Sequence, residues 1–223
     1  VASLLSSFNS MIAIQTKMRD DLIEAEKLKQ QLSLSLLQQQ VNPHFLYNTL
    51  DNICALAELD EKETLIQLVM NLSSFYRSSL SNGKMHISIG QELEISRAYL
   101  EILQIRYFHK FDFTITCPEA LKNYSCIKLL LQPILENSIY HGIKGLDRHG
   151  ILHIEAEDTG DCIRFTISDN GRGFSKEDYE KIWQQDADHF GIKSIQQRIL
   201  LYYGPGYGLS MESPQTGGCI TVI

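Results

Sequence analysis

From Leu4 onward, apolar residues return at alternating steps of four and three: Leu4, Phe8, Met11, Met18, Leu22 and Ala25, with Gln15 the polar exception. That spacing predicts a coiled-coil seam. The phase then moves to Leu28, Leu32 and Leu36, a stutter that locally unwinds a supercoil. Residues 16–40 are rich in Lys, Asp, Glu, Gln and Leu and contain neither Gly nor Pro. One long exposed helix, paired with its own copy, is expected there. The helical period runs on from Asn42 to about Leu80. A turn between two helices is expected near Leu59-Asp60-Glu61. SNGK at 81–84 is a loop signal, and residues 91–108 return to an amphipathic helical pattern.

After residue 110 the period changes. FDFTIT alternates as a strand does. IKLLLQPILENSIYHGI reads as a mostly buried helix. Leu152, Ile154 and Ala156 alternate on one strand and Ile163, Phe165 and Ile167 on the next, with Asp158-Thr159-Gly160-Asp161 turning between them. Leu209 with Met211, then Ile220 with Val222, predict a further pair joined through SPQTGG. The chain therefore divides into an all-helical part, to about residue 85, and a mixed α/β part whose hairpins require a mixed sheet.

Composition narrows the partners. The 223 residues are 43% hydrophobic, enough for an ordinary core in one or two domains. A net charge of −7 without any basic run argues against nucleic acid as the main partner. Five widely spaced cysteines, with no pair at metal-ligand spacing, read as reduced thiols of a cytosolic protein. No segment supplies the roughly 18 apolar residues of a spanning helix, and no signal peptide is visible. The sequence opens at Val1 in mid-pattern, as a fragment of a longer chain would.

Three stretches carry candidate chemistry. ISDNGRGF (167–174) ends a strand and enters a glycine loop. Asp169 at the strand end is able to accept from an exocyclic amine, and Gly171 and Gly173 permit φ > 0 and close approach to a ligand. A plain turn after a strand would look the same. LLQPILENSIYHGI (130–143) places Asn137 and His141 one turn apart on one helical face. An amide oxygen there suits a hard cation such as Mg²⁺, although a helix C-terminus with a satisfied histidine and a capping Gly142 also fits. In DADHFGIKSIQQRILLYYG (186–204), Gly191 precedes a helical stretch whose free N–H groups suit a phosphate, with Lys193 and Arg198 to add charge.

In this order the three stretches resemble the asparagine box and two glycine boxes of the ATPase superfamily shared by histidine kinases, gyrase B, Hsp90 and MutL. The resemblance implies an α/β-sandwich ATP-binding domain of Bergerat (GHKL) type, with Mg²⁺ on Asn137, adenine on Asp169 and phosphates near a lid at Gly191. It extends the ATP-binding set to Asn137, His141, Asp169, Gly171, Gly173, Gly191, Ile192, Lys193 and Arg198. Hydrolysing members carry a catalytic glutamate one turn before the asparagine. Pro133 stands there and activates no water; Glu136 faces about 100° away from Asn137. Transfer to another acceptor is thereby favoured over hydrolysis.

The acceptor is sought in LQQQVNPHFLYNTLDN (37–52). Proline inside a helix removes a hydrogen bond. Either Asn42 caps a new helical start with Pro43 in the first turn, or the helix kinks there. Both options leave His44 at an accessible discontinuity. Asn48, one turn on, is placed to hold one ring nitrogen and leave the other as nucleophile. This stretch resembles the phosphoacceptor motif of the YesM/LytS-like sensor histidine kinases, and YLEILQIRY (99–107) resembles the segment that links it to the ATPase domain in that family. The resemblance implies an α+β protein: residues 1–22 as the end of a HAMP-like signalling helix, 23–85 as coiled coil and dimerisation hairpin, 86–223 as the ATP-binding domain. It implies a homodimer, a response-regulator partner, and a membrane anchor upstream of residue 1, so that the chain is the cytoplasmic portion of a bacterial cell-membrane protein. His44 would take the γ-phosphate of ATP and pass it to an aspartate. Phe45 replaces the acidic residue that follows the histidine in many such kinases, which leaves the base unassigned and Glu136 a candidate. His189 and Ser194 depart from the usual lid. An ATP-binding scaffold that signals only by docking is the alternative.

Overall fold

The computed structural model describes residues 14–20, 23, 43–79, 85–183, 190–214 and 217–223. Most of the expected HAMP-like and coiled-coil stretch, the 81–84 loop and His189 lie outside the described residues. The chain divides into two compact units, Val1–Leu46 and Tyr47–Ile223.

Helix α1 spans Pro43–Glu58 and α2 spans Lys62–Ser79. The turn between them falls where the pattern placed it, with Asp60 at φ +57°. On α2 the buried positions Leu68, Asn71, Phe75 and Ser79 recur every three to four residues, one face of a helix. That face packs on α3, Ile89–Arg106, where the Phe75 and Tyr99 rings lie 5.8 Å apart. Helix α3 starts two residues before the expected Gln91. Ser88 explains this: its hydroxyl accepts from Gln91 N–H at 3.2 Å while the Gln91 side chain accepts from Ser88 N–H at 3.0 Å, a complete capping box.

Among the described residues seven strands lie in two sheets. Short β1 (His86–Ser88) and β3 (Ser125–Ile127) pair antiparallel. The larger sheet has the order β2-β4-β5-β7-β6, from β2 (Phe111–Thr116), β4 (Gly150–Asp158), β5 (Ile163–Asp169), β6 (Ser210–Glu212) and β7 (Cys219–Val222). Only β2 and β4 run parallel, so the sheet is mixed as expected. Along β4, Leu152, Ile154 and Ala156 are buried while Ile151, His153, Glu155 and Glu157 are exposed. A period of two with one wet face follows directly. Each buried Leu or Ile contributes roughly 1.5–3 kcal/mol. The buried residues Leu100, Leu103, Leu131, Ile134, Leu135, Ile139 and Ile195 belong to the helical layer.

The expected buried helix over 127–143 is shorter and more broken than its apolar run implied. Strand β3 takes residues 125–127. Helix α4 spans only Gln132–Asn137, with Pro133 in its first turn, and a π-helical segment continues over Ser138–Ile143. Within that segment Lys144 N–H reaches back five residues to Ile139 C=O at 2.8 Å. Helices α5 (Lys176–Trp183) and α6 (Phe190–Tyr203) complete the unit, with α6 packed on α4.

Candidate functional site

Asp169 closes β5. Its Oδ1 accepts from Gly171 N–H at 2.9 Å, and its Oδ2 is buried without a hydrogen-bond partner. A buried acceptor in that state costs up to about 1–3 kcal/mol; the nearby Ser138 hydroxyl and Cys219 N–H offset part of it without forming a hydrogen bond to Oδ2, so the site still favours an added donor. Burial raises the carboxyl above the usual aspartate range, against the Ser138 hydroxyl and the N–H groups of Gly171 and Cys219.

The glycine loop wraps this carboxylate. A Cβ at Gly171 would come within 2.6 Å of Asp169 Oδ1 and 2.7 Å of Gly142 Cα. Gly171 is therefore required by backbone contact, not by positive φ; of the two motif glycines only Gly173 is left-handed, at φ +70°. A side chain at Gly173 would collide with Ser213 Oγ. The π segment brings Gly142 against Asp169, and Arg172 N–H donates to Gly142 C=O at 3.2 Å. The extra residue of a π turn thus sets the asparagine helix against the glycine loop.

Two residues that pattern reasoning passed over hold the loop. Asn170 Oδ1 accepts from Ile151 N–H at 2.7 Å, and its Nδ2 donates to His149 C=O at 3.1 Å. Ser213 Oγ accepts from Phe174 N–H and donates to Gly218 C=O, at 3.2 and 3.0 Å. Asn170 sits inside the DNG motif and was open to notice as an amide next to a turn; nothing near Ser213 in sequence marks it.

Asn137 ends α4, half-buried, and His141 lies one turn on, exposed. Glu136 is held above the usual glutamate range by burial. The first turn of α6 crosses the same helix, since a Cβ at Gly191 would touch Pro133 Cβ at 3.4 Å. Ile192 is buried and Lys193 half-buried. The elements carrying Asn137, Asp169, Gly171 and Gly142 thus converge, with Gly191 over Pro133.

Arg198 does not join them. It is 2% exposed, and its guanidinium donates to the carbonyls of Leu129, at 3.1 Å, and Lys128. From the other side Glu92, fully buried on α3, accepts from Leu129 and Leu131 N–H at 2.8 and 2.9 Å. Burial raises the Glu92 carboxyl, against those N–H groups and the positive charge of Arg198, while burial lowers the Arg198 guanidinium. Arg198 was expected to offer charge to a ligand; instead two of its guanidinium nitrogens donate to the segment leading into α4, where Leu129 takes φ +55°, and its Nε is buried without a partner.

His44 is exposed near the start of α1, and Pro43 is the first described helical residue. Asn48 lies four residues on; its Nδ2 is buried without a partner.

Residues 32–111 match the histidine kinase family, and residues 124–222 match the histidine kinase-, DNA gyrase B-, and HSP90-like ATPase family. The sensor histidine kinase YesM of Bacillus subtilis is 30% identical over 97% of this chain and 37% of its own length. The sensor histidine kinase BtsS of Escherichia coli is 33% identical over 81% of this chain and 31% of its own. The chain belongs to the sensor histidine kinase family. It spans little more than a third of the curated relatives it matches. A solved bacterial phosphotransferase shares the fold, with TM-score 0.51 and 16% identity over 85% of this chain and 94% of that one. A helical region followed by an α/β-sheet ATPase domain is thus the architecture of sensor histidine kinases, and the expected fold class holds.

Proposed function

We propose that the chain binds ATP between α4, the glycine loop and α6, and transfers its γ-phosphoryl group to His44. The observation that carries this reading is Asp169. A buried carboxylate oxygen without a donor, fenced by glycine backbone at Gly171 and Gly142, fits an exocyclic amine and excludes bulk water. Asn137 is the candidate ligand for Mg²⁺. Among the described residues no cluster of three or more His, Cys, Asp or Glu is placed for a metal, so the ion would arrive with the phosphates. Held there, Mg²⁺ would supply charge neutralisation on the phosphoryl oxygens. With Ile192 and Arg198 buried, the backbone of the Gly191 turn and Lys193 are the parts of α6 left for phosphate.

Pro133 in place of a carboxylate leaves no base for water at that position, which favours a protein acceptor. The exposed His44 ring supplies the nucleophile: a ring nitrogen forms the P–N bond, the bond from the γ-phosphorus to the bridging oxygen breaks, ADP leaves, and the ring proton is released. Asn48 is proposed to orient the ring. The phosphohistidine then donates to an aspartate of a response-regulator receiver domain. Exposed Tyr47, Leu50, Ile66 and Met70 on α1 and α2 support a homodimer through these helices. No helix among the described residues is long and apolar enough to cross a membrane; the membrane anchor is proposed to lie upstream of residue 1.

The test is incubation with γ-labelled ATP and Mg²⁺. Acid-labile, base-stable label is expected on the unmodified chain and on neither His44→Ala nor Asn137→Ala. Label that persists in His44→Ala refutes the acceptor. ATP binding without any label supports the scaffold reading, in which the domain signals by docking alone.

A further inference from the structure

The sheet carries a second concavity at the end remote from Asp169. Residues Ile163, Arg164 and Phe165 open β5 on its wall, and Asp169 closes the strand roughly 20 Å away at about 3.3 Å per residue. The cavity has a volume of about 480 Å³, within the range of small-molecule sites. Its distinctive lining is aromatic and acidic: Tyr124, Tyr203, Tyr207 and Phe165, with Asp158 and Asp161 from the β4–β5 turn. Behind them lie Leu130 and Ile199 of the core.

The charge balance here is one-sided. Arg164, the one cationic side chain on the wall among the described residues, already pairs with Glu157 at 3.0 Å. Asp158 accepts from Gly160 N–H at 2.8 Å through one oxygen, and its other oxygen has no partner among the described residues. Asp161 makes no hydrogen bond or ion pair among the described residues. Tyr203 and Tyr207 stand with ring centroids 5.8 Å apart at 52°, and the Tyr203 hydroxyl is fixed by Ile127 N–H at 2.9 Å. Tyr124 and Tyr207 are about half exposed, at 55% and 46%. Electron-rich ring faces beside uncompensated carboxylates attract a cation that also has apolar surface to bury. Asp158 and Asp161 are both exposed at the rim, so an anion meets repulsion there and a neutral apolar body gains nothing from the two charges.

We propose that this cavity is a binding site for a small organic ammonium with an aromatic or aliphatic body, distinct from the nucleotide site. The aromatic rings and the core wall take the body, and Asp161 with Asp158 takes the charge. Nothing in this proposal depends on phosphoryl transfer.

The test titrates phenethylammonium chloride into the 223-residue chain by calorimetry at low ionic strength, beside phenylethanol, a neutral body of similar size. Saturable one-to-one binding of the ammonium is expected, with the alcohol about tenfold weaker or more. Asp161→Asn removes that preference and leaves alcohol binding as it was. Tyr207→Ala weakens both ligands, and Tyr124→Ala does so as an independent check should Tyr207→Ala not fold. ATP affinity in the same variants stays unchanged, which reports an intact domain. Equal affinity for the two ligands, full ammonium affinity in Asp161→Asn, or no saturation by the ammonium overturns the proposal.

Discussion

Glu92→Ala isolates what the buried polar staple contributes. The carboxylate accepts from two backbone N–H groups, at 2.8 and 2.9 Å, and faces the charge of buried Arg198 across the same segment. Alanine leaves both N–H groups without an acceptor, at about 1–3 kcal/mol each. It also strands a guanidinium that is 2% exposed. Breaking one side of a buried charged arrangement typically costs about 3–5 kcal/mol, and the two routes to the figure agree. Against a domain stability of about 5–15 kcal/mol that is a large fraction. Urea denaturation at neutral pH measures it, with Glu94→Ala, on the exposed face of the same helix, as the control expected within about 0.5 kcal/mol of the parent. Glu92→Gln keeps one acceptor and falls between. A loss below about 1 kcal/mol in Glu92→Ala refutes the staple, because water or a shifted loop would then be satisfying Leu129 and Leu131.

Asp169→Asn should separate stability from binding. Burial raises this carboxyl above its unfolded value, so the native state holds the proton more tightly and ionisation weakens the fold as pH rises through the ordinary range to the raised one. The amide keeps the acceptor for Gly171 and drops the charge. The nucleotide-free variant therefore melts higher than the parent at neutral pH, the gain shrinks on acidification, and ATP no longer raises Tm; a lower melting point in the variant would contradict the burial argument. Gly171→Ala places a methyl 2.7 Å from Gly142 Cα, so the loop and π segment must part, and ATP affinity measured by titration falls about tenfold or more, with helical content by circular dichroism retained. Phe75→Ala empties a site that is 4% exposed against Tyr99, and chemical denaturation should show a loss of about 3–5 kcal/mol.

Residues close in sequence were legible. The DNGRG run announces its turn because a strand end, an acid and two glycines lie within five positions, and the local signal survives whatever packs around it. The capping box of Ser88 and Gln91 is just as local, three positions apart, yet it was not read, and the helix was expected to start two residues late. The helix before Asn137 was misjudged in length because an apolar run alone does not distinguish helix from buried strand. Strand β3 is only three residues long, and its partner β1 lies about forty positions upstream. The π turn at Ser138–Ile143 leaves no mark in side-chain type, since it changes only which carbonyl each N–H meets.

Arg198 shows why the remaining errors fall where they do. On a helix opened by Gly191, a lone arginine looks like a cation for phosphate, since charged side chains are mostly exposed. Its true partners, Lys128 and Leu129, lie some seventy positions away, and its electrostatic counterpart Glu92 is more distant still. No period or local motif records such a pairing. Its chemical consequence is nonetheless local to the site. By fixing the entry to α4 from α3 on one side and α6 on the other, the staple holds Asn137 and Gly191 to a common frame without touching a ligand. A substitution at Arg198 should therefore loosen the geometry around Asn137 before it alters any direct contact to nucleotide. Arg198→Lys retains the charge and loses the second donor nitrogen; it lowers stability in urea and weakens ATP affinity together, whereas Lys193→Ala weakens affinity alone. If Arg198→Lys instead lowers affinity at unchanged stability, the guanidinium is a ligand group after all and the positioning role fails.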